Sequence, residues 1–515
     1  MRKHPQPLSQ GSMATAASKS KRASTANVKQ TRQYARISPR LVLLLPAITL
    51  LGLTLRLYKL NQESVGFDEA FSIAACRLPL AAMLKGLIED FVHPPLHYFV
   101  LRGWLDIFGS SVVPARMLSV VFGVLAIPLL YVISEYLFDR RTALFSSLLL
   151  AVSQLEIMFA QEARPYAQFL FLFLASWYLF IRALHSRSAK LWCAFIASSI
   201  LLIYTHYFGV LVLGALAIYG FLYRKQHRIP AVWWIGGAAA TLLAYLPWLT
   251  SGIFQAAAHS AKTFSGKHAF WSVGGSTFFT AVNFFNNGKP VGLLGSSPLW
   301  TFVIGGLLFT APVALALWDA KAKRESPNAM LALMLWVLPM LGAIAAGLLH
   351  FQYNVRYVAF CAAPYYLLVG RGISTIRPIL ARMAWILALL VYTGNALRAN
   401  FFMPRKEDFR AAGAYISRNY LPGDCGVFFP GFELPLQWSI EHPGQTVFRH
   451  LRTHDLSSDV RECGRIWAIS SSVSGNPWQW AKAAENQQAL EATHTKINEK
   501  RYFWVHVALY SRKRL

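Results

Sequence analysis

Long apolar runs separated by short gaps rich in Lys and Arg dominate the first four-fifths of this chain. Runs of about 17 to 24 apolar residues are long enough to cross a bilayer as helices, and the basic gaps fix which way each one runs. The first, 41–57, leaves the cytosolic side. The next, 113–137, returns to Arg140 and Arg141, and 144–159 goes out to the loop at 161–166. The run 166–183 comes in toward Arg187 and Lys190, and two short spans form a hairpin with Thr205, His206 and Tyr207 at its outer tip, ending at Arg224, Lys225 and Arg228. Outward 232–253, inward 299–318, outward 329–349, inward 358–370 and outward 384–401 complete the series. The pattern predicts about eleven spans, with the basic gaps cytosolic.

Two stretches break the pattern. The segment 96–108 is apolar but carries His97, Arg102 and Asp106, and counting it as a crossing would invert every later gap against the charge rule. It reads as a helix lying in the outer interface, as does 71–87 with Arg77 and Lys85, so 58–114 forms one long outer loop of flat helices. From about Pro404 the composition becomes that of a soluble domain. Helices are expected at 409–420 and 478–490 and strands at 426–429, 465–470 and 502–509, a small α/β unit of about 110 residues on the outer face. The expected architecture is a polytopic α-helical membrane protein. Its parts are a disordered basic cytosolic tail (1–40), a transmembrane domain (41–403) and the external α/β domain (404–515).

Composition fits that reading. Of 515 residues 55% are hydrophobic and 14% charged, and the mean hydropathy is +0.38, more apolar surface than a soluble fold of this length buries. The net charge of +27 would suit a nucleic-acid binder, but its distribution does not. The first 40 residues carry nine basic residues (Arg2, Lys3, Lys19, Lys21, Arg22, Lys29, Arg32, Arg36 and Arg40) and no acidic one, and most other basic clusters fill the gaps between apolar runs. That is a membrane-orientation signal, not a groove for phosphates, and no nucleic-acid partner is expected. The tail has no apolar periodicity, and a cleavable signal peptide is not expected. Five cysteines make no disulfide framework or zinc motif. Cys425 and Cys463 each precede an expected strand in the external domain, where a bridge and two free thiols are both open readings.

The most informative chemistry is the adjacent pair Asp68-Glu69, about ten residues beyond the first span. Two neighbouring carboxylates at a membrane surface are costly to desolvate and need partners, water or a task. A His93-Pro94-Pro95-Leu96 sequence follows in the same loop.

Taken in order, several outer-face motifs carry a resemblance. They are Gly66-Phe67-Asp68-Glu69-Ala70, Asp90-Phe91-Val92-His93-Pro94-Pro95-Leu96-His97-Tyr98, Phe108-Gly109, Pro114-Ala115-Arg116, Gln161-Glu162-Ala163-Arg164-Pro165-Tyr166 and Tyr204-Thr205-His206-Tyr207-Phe208-Gly209. The series resembles bacterial members of the protein O-mannosyltransferase-like family, membrane glycosyltransferases of the C-type fold related to the lipid A aminoarabinose transferases. It is densest over 56–209 and continues weakly to Arg356-Tyr357 and Asp408-Phe409-Arg410-Ala411-Ala412. The resemblance implies inverting transfer of a sugar, hexose or pentose, from a polyprenyl-phosphate donor to an acceptor outside the bacterial inner membrane. The acceptor is a protein hydroxyl, a lipid or a cell-envelope glycan.

A hydroxyl acceptor needs a base near its proton, and Asp68 matches the position of the family's catalytic acidic residue. Glu69 is expected to orient the acceptor or a metal. The leaving phosphate gains charge in the transition state, so Arg116, Arg164 and Arg356 are candidate phosphate ligands, each with a lipid-headgroup contact or structural ion pair as the alternative. Glu162 and Tyr166 flank Arg164 in the matching motif and suit substrate binding or structure equally. His93 is a candidate for Asp68 or the donor phosphate; the aminoarabinose relatives carry lysine before the two prolines. His206 is a further candidate for the donor phosphate or substrate, and it joins Asp68, Glu69 and His93 as a candidate ligand set for a divalent metal, which the reaction is not expected to require.

The 16 Trp, 21 Tyr and 35 Phe are mostly interface anchors, among them Trp233, Trp234, Trp248 and Trp300. The outer loop 256–298 has the composition of a mobile cover over the donor. A transporter or flippase of a lipid-linked molecule is the competing class, and a non-catalytic scaffold a third. Transporters place ionisable residues at midplane and often repeat a half, whereas here the spans are nearly free of charge and show no repeat.

Overall fold

Without water to satisfy them, the peptide groups of the apolar runs bond within their own segments, and each run expected to span is helical. The computed structural model describes residues 43–90, 93–263, 298–323, 325–348, 355–429, 436, 449–450, 463–471 and 477–513. The expected tail and most of the expected donor cover lie outside these residues. Helix α1 is Leu44–Leu57, followed by the short helices α2 (Phe67–Arg77), α3 (Leu80–Asp90) and α4 (Leu96–Phe108). The long helices then begin: α5 (Val112–Leu137), α6 (Arg140–Val152), α7 (Gln154–Ala160), α8 (Tyr166–Ser186), α9 (Ala189–Thr205), α10 (Gly209–Leu222) and α11 (Ala231–Thr263). After these come α12 (Pro298–Ala322), α13 (Ser326–Leu348), a 3-10 turn (Val355–Cys361), α14 (Ala362–Thr375) and α15 (Ile379–Phe402). Among the described residues six helices are long and apolar enough to cross a membrane, seven if α6 and α7, bent by 56°, form one span.

The loop expected to hold two flat helices holds three, because Pro79 ends α2 and a new helix starts at Leu80. The bend between α6 and α7 has an identifiable cause. Ser153 caps α7 with its hydroxyl, and the carbonyls of Leu150 and Ala151, at the frayed end of α6, accept from the buried Arg56 guanidinium at 3.2 and 3.0 Å. A cation inside the first span is thereby matched by peptide oxygens, a pairing that apolar periodicity does not announce.

Helix α14 is the centre of the bundle, buried without a break from Ala362 to Ile373. It fits because glycines let its neighbours approach. A Cβ on Gly370 would lie 2.6 Å from Ser146 Oγ and 2.8 Å from Ser146 N on α6, and one on Gly372 would collide with the Pro312 backbone on α12. Between them, Arg371 reaches Asp139 at 2.5 Å, Asp319 at 2.6 Å and Glu325 at 2.5 Å. The sequence places Arg371 among basic residues in a solvated gap. It is instead buried, joining the ends of α6, α12 and α13.

Beyond α15 the chain forms α16 (Phe409–Asn419), β1 (Cys425–Phe429), β2 (Arg449–His450), β3 (Arg465–Ser471), α17 (Pro477–Thr493), β4 (His494–Tyr502) and β5 (Val505–Arg512). The sheet has order β2-β1-β3-β5-β4, with β1 parallel to β2 and β3, and β5 antiparallel to β3 and β4. Strand β4 is absent from the sequence expectation. It is a mostly exposed edge strand with no apolar alternation, and the run expected at 502–509 proves to be β5, entered through a turn where Trp504 takes φ 60°. Cys425 and Cys463 are bridged, tying the start of β1 to the approach to β3.

Gly372→Ala is expected to lower stability by about 2 kcal/mol through overpacking against Pro312. Gly214→Ala, in open space on α10, should not destabilise. Heat denaturation of the two purified variants in detergent checks the pair.

Candidate active site

The candidate residues come from segments far apart in sequence and meet at the end of the bundle opposite Arg371. Asp68 and Glu69 lie in the first turn of α2, where the helix N-terminus favours negative charge. Successive helical residues point about 100° apart, so one carboxylate turns inward and the other outward.

Glu69 is the inward one, 1% exposed, and both its oxygens are saturated. Oε1 accepts from Arg116 Nε at 2.9 Å and the Ala163 amide at 3.0 Å. Oε2 accepts from Arg116 Nη2 at 3.0 Å, Lys406 Nζ at 2.8 Å and the Gly66 amide at 3.3 Å. Burial works against its charge, but Lys406 and Arg116 overcome this and hold the carboxyl well below its ordinary 4.5. Arg116 uses its remaining donors on the carbonyls of Leu60, Glu63 and Ser64. Glu162 bonds Lys406 at 2.9 Å. Glu69 and Arg116 therefore pair with each other and Glu162 pairs with Lys406, and Glu69 has no oxygen left for an acceptor or a metal.

Asp68 is the outward carboxylate, its side chain 41% exposed. Oδ2 accepts from Arg356 Nη1 at 2.5 Å, and among the described residues none donates to Oδ1. Burial opposes ionisation, yet Arg164, Arg356 and Lys406 together keep the carboxyl below its ordinary 3.8. Asp68 is thus a carboxylate at neutral pH.

Arg164 does not touch that carboxylate. Its Nη1 donates to the Asp68 carbonyl at 3.1 Å and to Ser72 Oγ at 2.9 Å, and its Nη2 donates to His93 Nδ1 at 3.3 Å. The last bond fixes the His93 proton on Nε2. In the turn between α9 and α10, the Phe208 amide donates to His206 Nδ1 at 3.1 Å, which puts that proton on Nε2 as well. The two rings lie 5.2 Å apart, with Tyr357 at 6.1 and 5.1 Å and Tyr166 at 6.2 and 6.3 Å from them. Among the described residues neither Nε2 has a hydrogen-bond partner, nor has Arg164 Nε, and the Tyr166 hydroxyl lies against the Arg164 guanidinium. Burial and the neighbouring Arg164 keep His206 neutral, down to about 3. Burial, Arg164 and His206 also hold His93 far below 6.5. The result is a buried cluster of unmatched donors near an ionised carboxylate.

Among the described residues no three of His, Cys, Asp or Glu are gathered where they could hold a metal ion. Asp68, Glu69, His93 and His206 do not converge on one point. The residue that sequence reasoning missed is Lys406. Its signal was available, since it is a cation on the side where the charge rule places few, the same criterion that singled out Arg164 and Arg356.

The fold is that of the C-type membrane glycosyltransferases. ArnT from Cupriavidus metallidurans, solved with undecaprenyl phosphate, matches with TM-score 0.57 at 14% identity, over 92% of this chain and 98% of that one. The Archaeoglobus fulgidus oligosaccharyltransferase AglB, in complex with an inhibitory peptide and a dolichol-phosphate, matches with TM-score 0.54 at 13% identity, over 92% and 74%. Within that class, the family whose model the sequence matches, over residues 92–250, is that of the dolichyl-phosphate-mannose-protein mannosyltransferases. No curated protein matches the sequence.

Glu69→Gln is expected to cost about 3 to 5 kcal/mol, because it leaves the Arg116 charge buried without its counter-ion; chemical or thermal denaturation reads this. The histidines give a separate pH signature. His206, and His97 at about 4, are lowered from an ordinary 6.5, so the unfolded chain takes up protons first as pH falls. Their contribution to stability is complete above pH 6.5 and declines as pH falls toward those values. The melting temperature should drop over that window, less steeply in His206→Gln.

Proposed function

We propose that this protein transfers a sugar, hexose or pentose, from a polyprenyl-phosphate donor to a hydroxyl of an acceptor on the outer side of the bacterial inner membrane. The observation that carries the reading is the pairing of a half-exposed, ionised Asp68 with a nearby cluster of buried donors that lack partners. The lipid ligands of ArnT and AglB, undecaprenyl phosphate and dolichol-phosphate, are the chemistry such a cluster takes.

In this reading Asp68 Oδ1 removes the acceptor hydroxyl proton as the oxygen attacks the anomeric carbon. The bond from that carbon to the phosphate oxygen breaks on the opposite face, which inverts the configuration, and its electron pair stays on the phosphate. Arg164 Nε, the Nε2–H groups of His93 and His206 and the Tyr166 hydroxyl meet the charge that develops there. Arg356 holds Asp68 in place and adds positive charge to the same side. Neutral histidines donate to a phosphate without a counter-charge that would also bind Asp68. Glu69, Arg116 and Glu162 are the supporting frame. The polar end faces outward, because the basic gaps then lie in the cytosol and the Cys425–Cys463 bridge lies in an oxidising compartment. The first span then starts from the cytosol, and 404–515 stands outside as a domain of its own.

Asp68→Asn is expected to reduce transfer from a labelled polyprenyl-phosphate sugar by about 10²- to 10⁴-fold with the fold intact. Equal turnover by the variant would remove Asp68 as the base. Absence of transfer by the wild type with every lipid-phosphate sugar would return the transporter class to first place.

A further inference from the structure

Resting on the function just proposed, we infer that Lys406, in the stretch joining α15 to the sheet domain, is a positioning residue for Asp68. Its ammonium bridges Glu69 Oε2 at 2.8 Å and Glu162 Oε1 at 2.9 Å. Those carboxylates belong to the two segments whose relative placement sets the chemistry. Glu69 is next to the base, and Glu162 is two residues from the guanidinium that contacts the Asp68 carbonyl and His93. One side chain thus clamps the base-bearing turn of α2 to the phosphate-facing turn before α8. The clamp extends to the start of α2, because Glu69 Oε2 also accepts from the Gly66 amide that begins the helix.

Lys406 is in turn held from its own side. Arg405 Nε lies 3.5 Å from Glu63, and the Arg410 amide donates to Ser64 Oγ at 3.1 Å. Arg410 Nη2 donates to Asn61 at 3.2 Å, and Lys59 donates to the Phe401 carbonyl at 2.9 Å. Residues 400–410 are laced along 59–64, so the ammonium is delivered by a fixed strip of backbone. Asp68 is faced by Arg356 from the 3-10 turn, by Arg164 and Tyr166 around the α8 entry and by Lys406, while Glu162 pairs with Lys406 and Glu69 turns inward. His93 and Tyr357 lie behind Arg164 and Tyr166. Removing Lys406 takes away one of three cations that favour the Asp68 charge and loosens the two segments, which then keep the Ala163 amide bond to Glu69 and the Arg164 bonds to the Asp68 carbonyl and Ser72.

The test uses the full-length protein in detergent. Carbodiimide coupling to Asp68, read by peptide mass spectrometry across pH, reports its protonation without requiring turnover, and steady-state transfer from a polyprenyl-phosphate sugar gives kcat and KM. Lys406→Gln should move Asp68 coupling and the acid limb of the rate profile to higher pH and lower kcat by roughly 10- to 100-fold. Lys406→Arg, which keeps a charge that can bridge both carboxylates, should restore both. A folded Lys406→Gln that couples and turns over like wild type would overturn the inference, as would failure of Lys406→Arg to rescue. Should Lys406→Gln not fold, Glu162→Gln cuts the clamp from its other side, and an unchanged kcat there also overturns it. If the wild type transfers no sugar, the proposed function fails, while the coupling profile still decides whether Lys406 governs Asp68.

Discussion

The structure turns on one buried ion cluster, Glu69 with Arg116 and Lys406. A carboxylate taken fully out of water is tolerated only when its lone pairs are met, and here five donors meet them. Each donor belongs to a different task. Arg116 brings the first turn of α5 and, through three carbonyls, shapes the chain between Leu60 and Ser64. The Ala163 amide brings the entry to α8, and Lys406 brings the chain leaving the last helix. One inward side chain therefore fixes the frame in which its outward neighbour works.

The two ends of the bundle solve the problem of buried charge differently. At the Arg371 end, one guanidinium meets three carboxylates from three helices, and the glycines beside it allow the backbones to close. At the Asp68 end, the network is complete around Glu69 but stops short around His93, His206 and Tyr166. Buried polar atoms without partners are costly, and their grouping here is what the proposed function puts to use.

Much of the fold was legible because bilayer-spanning helices announce themselves by length and flanking charge. The expected runs coincide with helices to within a few residues, and the strands expected near 426–429, 465–470 and 502–509 correspond to β1, β3 and β5. What escaped had physical reasons. Strand β4 is polar and exposed, Arg56 is matched by peptide carbonyls that no side-chain pattern records, and Arg371 looks like any other basic residue in a gap. At the site, motif order gathered the right neighbourhood but could not sort it. Arg116 and Arg164 share a type, a face and a motif series, yet one is consumed by Glu69 and the other retains a free Nε. Both are buried, and the identity of their partners separates them, which is a three-dimensional property.

The placement of Asp68 and Glu69 as neighbours on one helical turn also bears on how variation here is to be interpreted. Under the proposed function, a mutational scan scored only by survival or product would rank the two positions alike, one lost through chemistry and the other through architecture. Exchanging their identities would conserve composition and charge yet put a shorter side chain where five donors converge and a longer one where a single oxygen must reach its target. In such a pair, tolerance to substitution measures adjacency as much as role.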